Sequence, residues 1–249
     1  MKAVILAAGY ATRLYPLTEN TPKCLLTVGG RTILDSLCDQ LEKIVVIDEI
    51  VIVTNTKFYE QLSRWQQKRR QRAAIRVLND GTSSNETRLG AVGDLDLTIR
   101  EAGIQTDVLM MASDNLFDQN LEDFVSFARS RAGSVSIAIY DLGDPRLASK
   151  KFGVIEVDKD KRVTGMEEKP EHPKSSLIGM GVYYFPQSSL VRVGEYLQQK
   201  NAQDAPGYYI RWLHEHGAEI FSFLFSGMWY DIGDLKALEE ANAVFNKKI

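Results

Sequence analysis

Two basic side chains follow the first apolar run of the chain, and their placement suits the binding of a triphosphate. The run ends at Leu6 and passes through Ala8 and Gly9, and the irregular segment after it carries Arg13 and Lys23. In α/β proteins a buried first strand followed by small residues binds phosphate, because backbone N–H groups can approach the anion closely. One cation can then lie over the reacting phosphate and the other over the leaving pyrophosphate.

The two commonest nucleotide-binding loops are absent from this segment. The dinucleotide fingerprint needs three glycines where this loop has only Gly9, and the Walker pattern GxxxxGK[ST] does not occur. Gly9 alone would indicate no more than a tight turn beside a surface arginine. The second cation, Lys23, is what favours phosphate binding.

The elements that position this loop can be read from the apolar runs. Runs without alternation, typical of strands buried on both faces, are 4–6, 49–53, 75–78 and 107–111. Helix-period segments at 33–44, 89–99 and 121–128 alternate with them, which predicts an α/β fold with a mainly parallel sheet flanked by helices. Further runs at 135–140, 153–157, 181–185 and 220–223 predict a strand-rich second half with antiparallel additions.

Composition excludes several other classes of protein. The 249 residues carry 30 Lys and Arg against 33 Asp and Glu, a formal net charge of -3, which argues against bulk binding of nucleic acid. No apolar run approaches the ~20 residues that cross a bilayer, and the short apolar N-terminus does not resemble a signal peptide. The presence of only two cysteines argues against a disulfide framework and against a structural zinc site. We therefore expect a cytoplasmic enzyme, and we interpret the basic run 68–72 as the solvated end of a helix.

The loop and the segment after it resemble the sugar nucleotidyltransferases, whose hallmark is G-x-G-T-R-L-x-P followed by P-K-x-L. The chain has this pattern from Gly9 to Pro16 and again from Pro22 to Leu25, with Ala11 in place of the second glycine. A methyl group at Ala11 fits the loop if φ there is negative. Segments similar to the family's G-D-N-h-F, E-K-P and W-x-D-x-G motifs follow in order at 113–117, 168–170 and 229–233.

The resemblance covers most of the chain and implies both an architecture and a reaction. The fold would be the Rossmann-like, nucleotide-diphospho-sugar transferase type, as one domain over 1–249 without a left-handed β-helix domain. Its nucleotide-binding half would span about 1–117 and its sugar-phosphate-binding half about 118–249. The reaction would join a nucleoside triphosphate to a sugar 1-phosphate, and Mg²⁺ would be the cofactor. Homo-oligomers occur in the family, but the sequence shows no interface.

The resemblance also implies roles for individual residues. Asp114 and Asp231 would hold Mg²⁺, for which carboxylates and phosphate oxygens are suitable ligands. Arg13, Lys23 and Lys169 would be the catalytic cations, with Lys169 on the sugar phosphate. The predicted nucleotide-binding residues of the first loop are Leu6, Ala8, Gly9 and Thr12. The predicted sugar-binding residues are Gly153, Glu168, Lys169 and Gly179.

The polar loop 79–88 stands where relatives place a base-recognising loop. The glutamine that relatives often have there is missing, and the segment has its own short polar side chains. We expect base contacts near Asn79, Gly81 and Thr82. A loop of this composition is equally typical of a solvated turn.

Two other functions remain open from the sequence. A cytidylyltransferase acting on phosphocholine or an aminoalkyl phosphonate would share the nucleotide half and differ in the acceptor pocket. A catalytically silent relative could sense nucleotide sugars for a partner subunit. Retention of the five charged residues of the motifs argues against the silent relative, whereas Ala11 and Ser113 leave it open.

Overall fold

The computed structural model describes residues 1–200 and 202–245, which form a mixed α/β fold with a mainly parallel sheet flanked by helices. The strands are β1 (Lys2–Leu6), β2 (Thr27–Val28), β3 (Arg31–Thr32), β4 (Glu49–Thr54), β5 (Ala74–Asn79), β6 (Val108–Ala112), β7 (Asn115–Phe117), β8 (Val135–Asp141), β9 (Gly153–Val157), β10 (Val163–Glu168), β11 (Leu177–Phe185), β12 (Ile220–Phe225) and β13 (Trp229–Asp231). The helices are α1 (Ile33–Glu42), α2 (Thr56–Lys68), α3 (Gly90–Glu101), α4 (Leu121–Ser130), α5 (Gln187–Leu190), α6 (Val193–Leu197), α7 (Pro206–Glu215) and α8 (Leu235–Phe245).

The chain forms two compact units, each assembled from separate stretches of sequence. The first contains Met1–Leu89, Met111–Glu122 and the described residues after Ser226; the second contains Gly90–Met110 and the described residues of 123–226. Among the described residues, no helix is both long enough and apolar enough to cross a membrane.

The first unit is organised around three parallel strands. β1 pairs with β4, and β4 pairs with β5, with Val4 opposite Val51 and Val53 opposite Leu78. Every residue of β4 is buried, as the unalternating apolar run predicts for a strand covered on both faces. The next strand of the chain is tied to β1 at its end, where the N–H of Ser113 donates to the carbonyl of Leu6 at 3.2 Å.

Two helices of the first unit begin at side-chain caps that the sequence supplies. The hydroxyl of Thr32 accepts the N–H of Asp35 at the start of α1, and Asn55 Oδ1 accepts the N–H of Phe58 at the start of α2. Asn55 also reaches the first loop, since its Nδ2 donates to the carbonyl of Ala8 at 2.8 Å. The cap of α2 therefore helps to hold the loop after β1.

The basic run at 68–72 lies at the end of a helix with Lys68, Arg70 and Arg72 exposed, as predicted, but two of its arginines also contact other elements. α2 ends at Lys68, as predicted, but Arg69 pairs with Asp35 and Asp39, with Nη1 and Nη2 each 2.7 Å from a carboxylate oxygen. Arg72 donates to backbone carbonyls beyond the end of α1, including those of Ile44 and Ile47 at 2.9 and 2.8 Å. These two arginines therefore join the segment after α2 to α1 and to the residues that follow α1.

The second unit has the antiparallel pairs expected of a strand-rich second half. β11 pairs antiparallel with β8 and β9, and β9 pairs antiparallel with β10, whereas β12 pairs parallel with β8. Helices α3, α6 and α7 contact one another, and α7 also contacts β10. This last contact brings the start of α7 to the end of β10.

Candidate functional site

Hydrogen bonds to the C-terminal end of β4 hold the start of the loop that follows β1. The N–H of Ala7 donates to the carbonyl of Val53 at 2.8 Å, and the hydroxyl of Thr54 donates to the carbonyl of Ala7 at 3.2 Å. Ala7 and Ala8 are buried, whereas Gly9 is exposed and has open space where a Cβ would stand. The small residues thus leave room above the loop for a ligand to approach its backbone.

Ala11 adopts the left-handed conformation that glycine favours, with φ 47 and ψ 42. The negative φ on which a comfortable fit of its methyl group depends is therefore not observed. The carbonyl of Ala11 accepts the hydroxyl of Thr18 at 2.7 Å and the N–H of Leu14 at 3.0 Å, and these bonds hold the strained residue in place. The short 3₁₀ helix that carries Arg13, Thr12–Leu14, begins directly after it.

Lys23 and Asp114 form an ion pair inside this loop region. Lys23 Nζ lies 2.7 Å from Asp114 Oδ2, and the side chains are 14% and 30% exposed. Lys23 stands at the start of a second 3₁₀ helix, Lys23–Leu25, whereas Asp114 lies in the turn between β6 and β7. One of the predicted triphosphate cations and one of the predicted metal ligands are therefore direct neighbours.

Asp231 joins this pair through the antiparallel ladder of β7 and β13. In that ladder Asp231 is opposite Asn115, and the N–H of Ile232 donates to the carbonyl of Asp114 at 3.0 Å. Burial and, after it, the negative charge of Asp114 raise the pKa of Asp231 to about 6, although the positive charges of Lys23 and Arg13 act in the opposite direction. Arg13, Lys23, Asp114 and Asp231 thus form one cluster within the first unit.

Two neighbours of this cluster received no role from the sequence. Asn115 is buried and donates from Nδ2 to Asp114 Oδ1, and Trp229 donates from Nε1 to Asn115 Oδ1. Both residues stand inside the motifs at 113–117 and 229–233, which was the only sequence signal available.

The predicted base-contact residues differ in accessibility. Thr82 is buried, and its N–H and hydroxyl both donate to the carboxylate of Asp80 at 2.7 to 2.9 Å. Asn79 and Gly81 are exposed, and Asn79 Oδ1 accepts the N–H of Gly81 at 2.9 Å. The loop is a hydrogen-bonded turn with Asn79 and Gly81 at its surface.

The predicted sugar-binding residues form a second cluster, within the second unit. Glu168 lies between two glycines: a Cβ added at Gly153 would stand 2.9 Å from its Oε2, and one at Gly207 would stand 2.2 Å from it. Gly179 lies beside Gly153, with an added Cβ 4.0 Å from the Gly153 carbonyl oxygen. Sequence reasoning missed Gly207, since nothing in Pro206–Gly207 predicts a contact with a residue of β10.

Glu168 has one positively charged neighbour, Lys169, and one negatively charged neighbour, Asp204, that affect its pKa. Lys169 Nζ is 3.9 Å from Glu168 Oε1, and the Lys169 side chain is 55% exposed against 12% for Glu168. Burial raises the pKa of Glu168, Lys169 lowers it, and Asp204 raises it. Lys169 has a positive φ of 49 and is held by its N–H, which donates to the carbonyl of Phe152. The lysine therefore presents a solvent-accessible ammonium beside a carboxylate that is largely but not fully buried.

Comparison with known proteins decides the family. The sequence profile described as nucleotidyl transferase matches residues 2–248. The chain belongs to the nucleotidyl transferase family. The membership predicted from the loop motifs is thereby confirmed.

Relatives of this nucleotidyl transferase include a glucose-1-phosphate thymidylyltransferase of Streptomyces antibioticus, 29% identical over 250 residues that cover 97% of this chain and 65% of the relative. The bifunctional protein GlmU of Methanocaldococcus jannaschii is 26% identical over 253 residues, covering 100% of this chain and 55% of that protein. The chain thus spans between about half and two thirds of the length of these relatives.

The fold of this nucleotidyl transferase is shared with a crystal structure of UDP-glucose pyrophosphorylase complexed with UDP-glucose. The two agree with a TM-score of 0.85 at 19% identity, over 100% of this chain and 99% of the other. A crystal structure of apo UDP-glucose pyrophosphorylase gives a TM-score of 0.81 at 18% identity, over 100% and 98% of the two chains. The predicted α/β fold class is confirmed.

The first-unit cluster of this nucleotidyl transferase suits a divalent cation that substrate oxygens help to hold. Within 1–200 and 202–245, no three His, Cys, Asp or Glu side chains are grouped closely enough to hold a metal by themselves. Asp114 and Asp231 are two carboxylates close enough to repel each other, since the charge of Asp114 adds to burial in raising the pKa of Asp231. A cation between carboxylate and phosphate oxygens would relieve that repulsion.

Proposed function

We propose that this chain transfers a nucleotidyl group from a nucleoside triphosphate to a sugar 1-phosphate, with Mg²⁺ as cofactor. The observation that carries the proposal is the grouping of Arg13, Lys23, Asp114 and Asp231, two cations and two carboxylates, around one loop of small residues. The names of the relatives, a glucose-1-phosphate thymidylyltransferase among them, support the same reaction class. Candidate metal ligands are Asp114 and Asp231.

In this proposal, the first unit binds the triphosphate. Backbone N–H groups from Ala8 to Thr12, near the C-terminal end of β1, face the phosphates, and Arg13 stabilises charge that develops on them. Lys23 can exchange Asp114 Oδ2 for a phosphate oxygen, because carboxylate and phosphate are alternative anionic partners of an ammonium group. Bound Mg²⁺ would neutralise phosphate charge and release Lys23 from Asp114.

The second unit supplies the acceptor side of the proposal. Lys169 binds the phosphate of the sugar 1-phosphate, and Glu168 accepts hydrogen bonds from sugar hydroxyls. Glu168 is suited to this, because it is 12% exposed and its burial against Gly153 and Gly207 fixes its position. Gly179 borders the same space beside Gly153.

The proposed chemistry needs no proton shuttle. An oxygen of the sugar phosphate forms a bond to the α-phosphorus, and the bond from that phosphorus to the bridging oxygen of pyrophosphate breaks. The attacking phosphate is largely dianionic at neutral pH, and pyrophosphate leaves as an anion. The residues therefore act by orientation and by charge, which is how phosphoryl transfer is generally catalysed.

Pyrophosphate release over a panel of triphosphates and acceptors tests the proposal. The panel crosses dTTP, UTP, CTP, ATP and GTP with glucose 1-phosphate, other sugar 1-phosphates and phosphocholine. We expect release with a sugar 1-phosphate and at least one triphosphate. Release with phosphocholine alone would indicate the cytidylyltransferase, and nucleotide-sugar binding without any release would indicate the silent relative; either result contradicts the proposal.

Replacement of the carboxylates tests the metal part separately. Asp114→Ala and Asp231→Ala should each lower turnover by about 10²–10³ or more, the scale of losing a group that stabilises transition-state charge. Circular dichroism should show both variants folded. Full turnover in EDTA, or in the variant with both aspartates replaced, would reject Mg²⁺ as cofactor.

A further inference from the structure

The side chain of Asn115 connects Trp229 to Asp114 by two hydrogen bonds. Trp229 Nε1 donates to Asn115 Oδ1 at 2.7 Å, and Asn115 Nδ2 donates to Asp114 Oδ1 at 3.1 Å. Lys23 Nζ donates to the other carboxylate oxygen, Oδ2, at 2.7 Å. Each carboxylate oxygen of Asp114 therefore has its own donor, one charged and one neutral.

The orientation of the Asn115 amide is determined by chemistry. An indole nitrogen can only donate a hydrogen bond, so the atom of Asn115 that faces Trp229 must be the oxygen. The amide nitrogen then faces Asp114, where a carboxylate can only accept. Asn115 is 3% exposed, so water has little access to compete for either bond.

We propose that Asn115 is a positioning residue for Asp114, and that Trp229 locks the Asn115 amide in the orientation that does this. The inference rests on the proposed role of Asp114 as a ligand of Mg²⁺. Asn115 holds the Asp114 carboxylate in one rotamer from the Oδ1 side, so the carboxylate keeps its orientation when Lys23 leaves the Oδ2 side. Outer hydrogen bonds of this kind fix metal-ligating carboxylates and tune metal affinity.

The two strands that carry the aspartates explain why this arrangement concerns both. Asn115 begins β7 directly after Asp114, whereas Trp229 lies on β13, the strand that carries Asp231. The Trp229–Asn115 bond thus links the two strands through their side chains, in addition to the backbone ladder. Rotation of the Asp114 carboxylate would alter its distance from Asp231. The Asn115–Asp114 bond resists this rotation, and the Trp229–Asn115 bond keeps the Asn115 amide in place.

A purely structural role for Asn115 makes a different prediction, and a matched control separates the two. Asn242 is also in the first unit and also makes two bonds: its Oδ1 accepts the N–H of Gly29 at 3.2 Å, and its Nδ2 donates to the carbonyl of Leu238 at 3.1 Å. Asn242→Ala should lower the melting temperature without changing metal binding. Asn115→Ala should change both.

The experiment measures Mn²⁺ binding to the full chain with each triphosphate of the panel and no acceptor, from the enhancement of water proton relaxation that protein-bound Mn²⁺ gives over the free Mn²⁺–nucleotide complex. Wild type and Asp114→Ala identify the site. We expect Asn115→Ala to weaken Mn²⁺ binding by roughly 10- to 100-fold, the usual range for loss of an outer partner. Trp229→Phe, which keeps Asn115 but frees its amide to turn over, should weaken binding in the same direction by less.

Each outcome decides a different point. Equal Mn²⁺ affinity in wild type and Asp114→Ala would remove the metal site and this inference together. Loss in Asp114→Ala but unchanged affinity in Asn115→Ala would overturn the positioning role alone, as would equal weakening in Asn242→Ala. Should Asn115→Ala fail to fold, Trp229→Phe decides: weaker binding supports the proposal and unchanged binding overturns it.

Discussion

The N–H of Ile232 lies 3.0 Å from the carbonyl oxygen of Asp114, and this backbone bond fastens the residue after Asp231 to Asp114 itself. Two carboxylates from distant parts of the chain are held together in this way, and one of them is largely buried. The cost of that arrangement appears in the pKa of Asp231, which burial and then Asp114 raise to about 6.

The raised pKa predicts a pH dependence of stability in the metal-free protein. The unfolded pKa of an aspartate is near 3.8 and the folded value is about 6, so the folded state binds the proton more tightly. The stabilising contribution of protonated Asp231 is complete below the unfolded value and is lost as the pH rises through about 6.

Urea unfolding in EDTA between pH 4 and pH 7.5 measures this effect. Wild type should lose roughly 1–3 kcal/mol more stability than Asp231→Asn over that interval, because the asparagine does not titrate. Parallel pH profiles for the two proteins would show that Asp231 titrates normally.

The positive φ of Ala11 leads us to expect that Ala11→Gly stabilises the protein. A non-glycine residue in the left-handed region costs about 1–2 kcal/mol, and Ala11 has φ 47. Ala11→Gly should therefore raise stability by up to about 1 kcal/mol after the added chain entropy of glycine is subtracted. Ala7→Gly is the control, since Ala7 is buried in the same loop without a positive φ and should lose stability. Thermal denaturation of both variants checks this; a lower melting temperature for Ala11→Gly would contradict the strain.

We expect that replacing Gly207 by alanine weakens binding of the sugar 1-phosphate acceptor. The methyl group of Gly207→Ala would stand 2.2 Å from Glu168 Oε2 and must displace that carboxylate. The KM for sugar 1-phosphate should rise by about tenfold or more, the scale of one lost hydrogen bond to a charged group, while the KM for the triphosphate stays the same. Gly194→Ala is the matched control, because an added Cβ there meets nothing within 4 Å. Equal sugar 1-phosphate KM values in the two variants would remove Gly207 from the acceptor site.

We expect that replacing Arg72 by alanine lowers the stability of the protein without lowering its activity. The Arg72 guanidinium donates to four backbone carbonyls, that of Glu42 at the end of α1 and those of Ile44, Val45 and Ile47 after it. Arg72→Ala should lower the free energy of unfolding by about 1–3 kcal/mol, since these carbonyls lose a charged donor. Arg70 offers the comparison: it makes one exposed bond, to the carbonyl of Gln67, and its replacement by alanine should change stability little. Similar unfolding curves for the two variants would show that the carbonyl contacts are weak.

Local chemistry explains which parts of the fold could be predicted. β1 and β4 were predicted because uninterrupted apolar runs have few other uses than a strand covered on both faces. Helix α2 was missed except for its end, because mostly polar residues surround its buried Phe58 and Leu62. The ladder of β7 and β13 was also missed, because three-residue strands carry almost no periodic signal.

The sequence by itself determined the residue types and their spacing: a small-residue loop, Arg13 and Lys23 after it, and acidic residues inside recognisable motifs. Only the tertiary structure decided that Lys23 pairs with Asp114, that Asp231 joins them, and that the Asn115 amide donates to the Asp114 carboxylate. It also decided that Gly207 packs on Glu168. The physical reason is that charge coupling and burial depend on distances across strand pairs and helix contacts, and those distances join residues that the sequence keeps far apart.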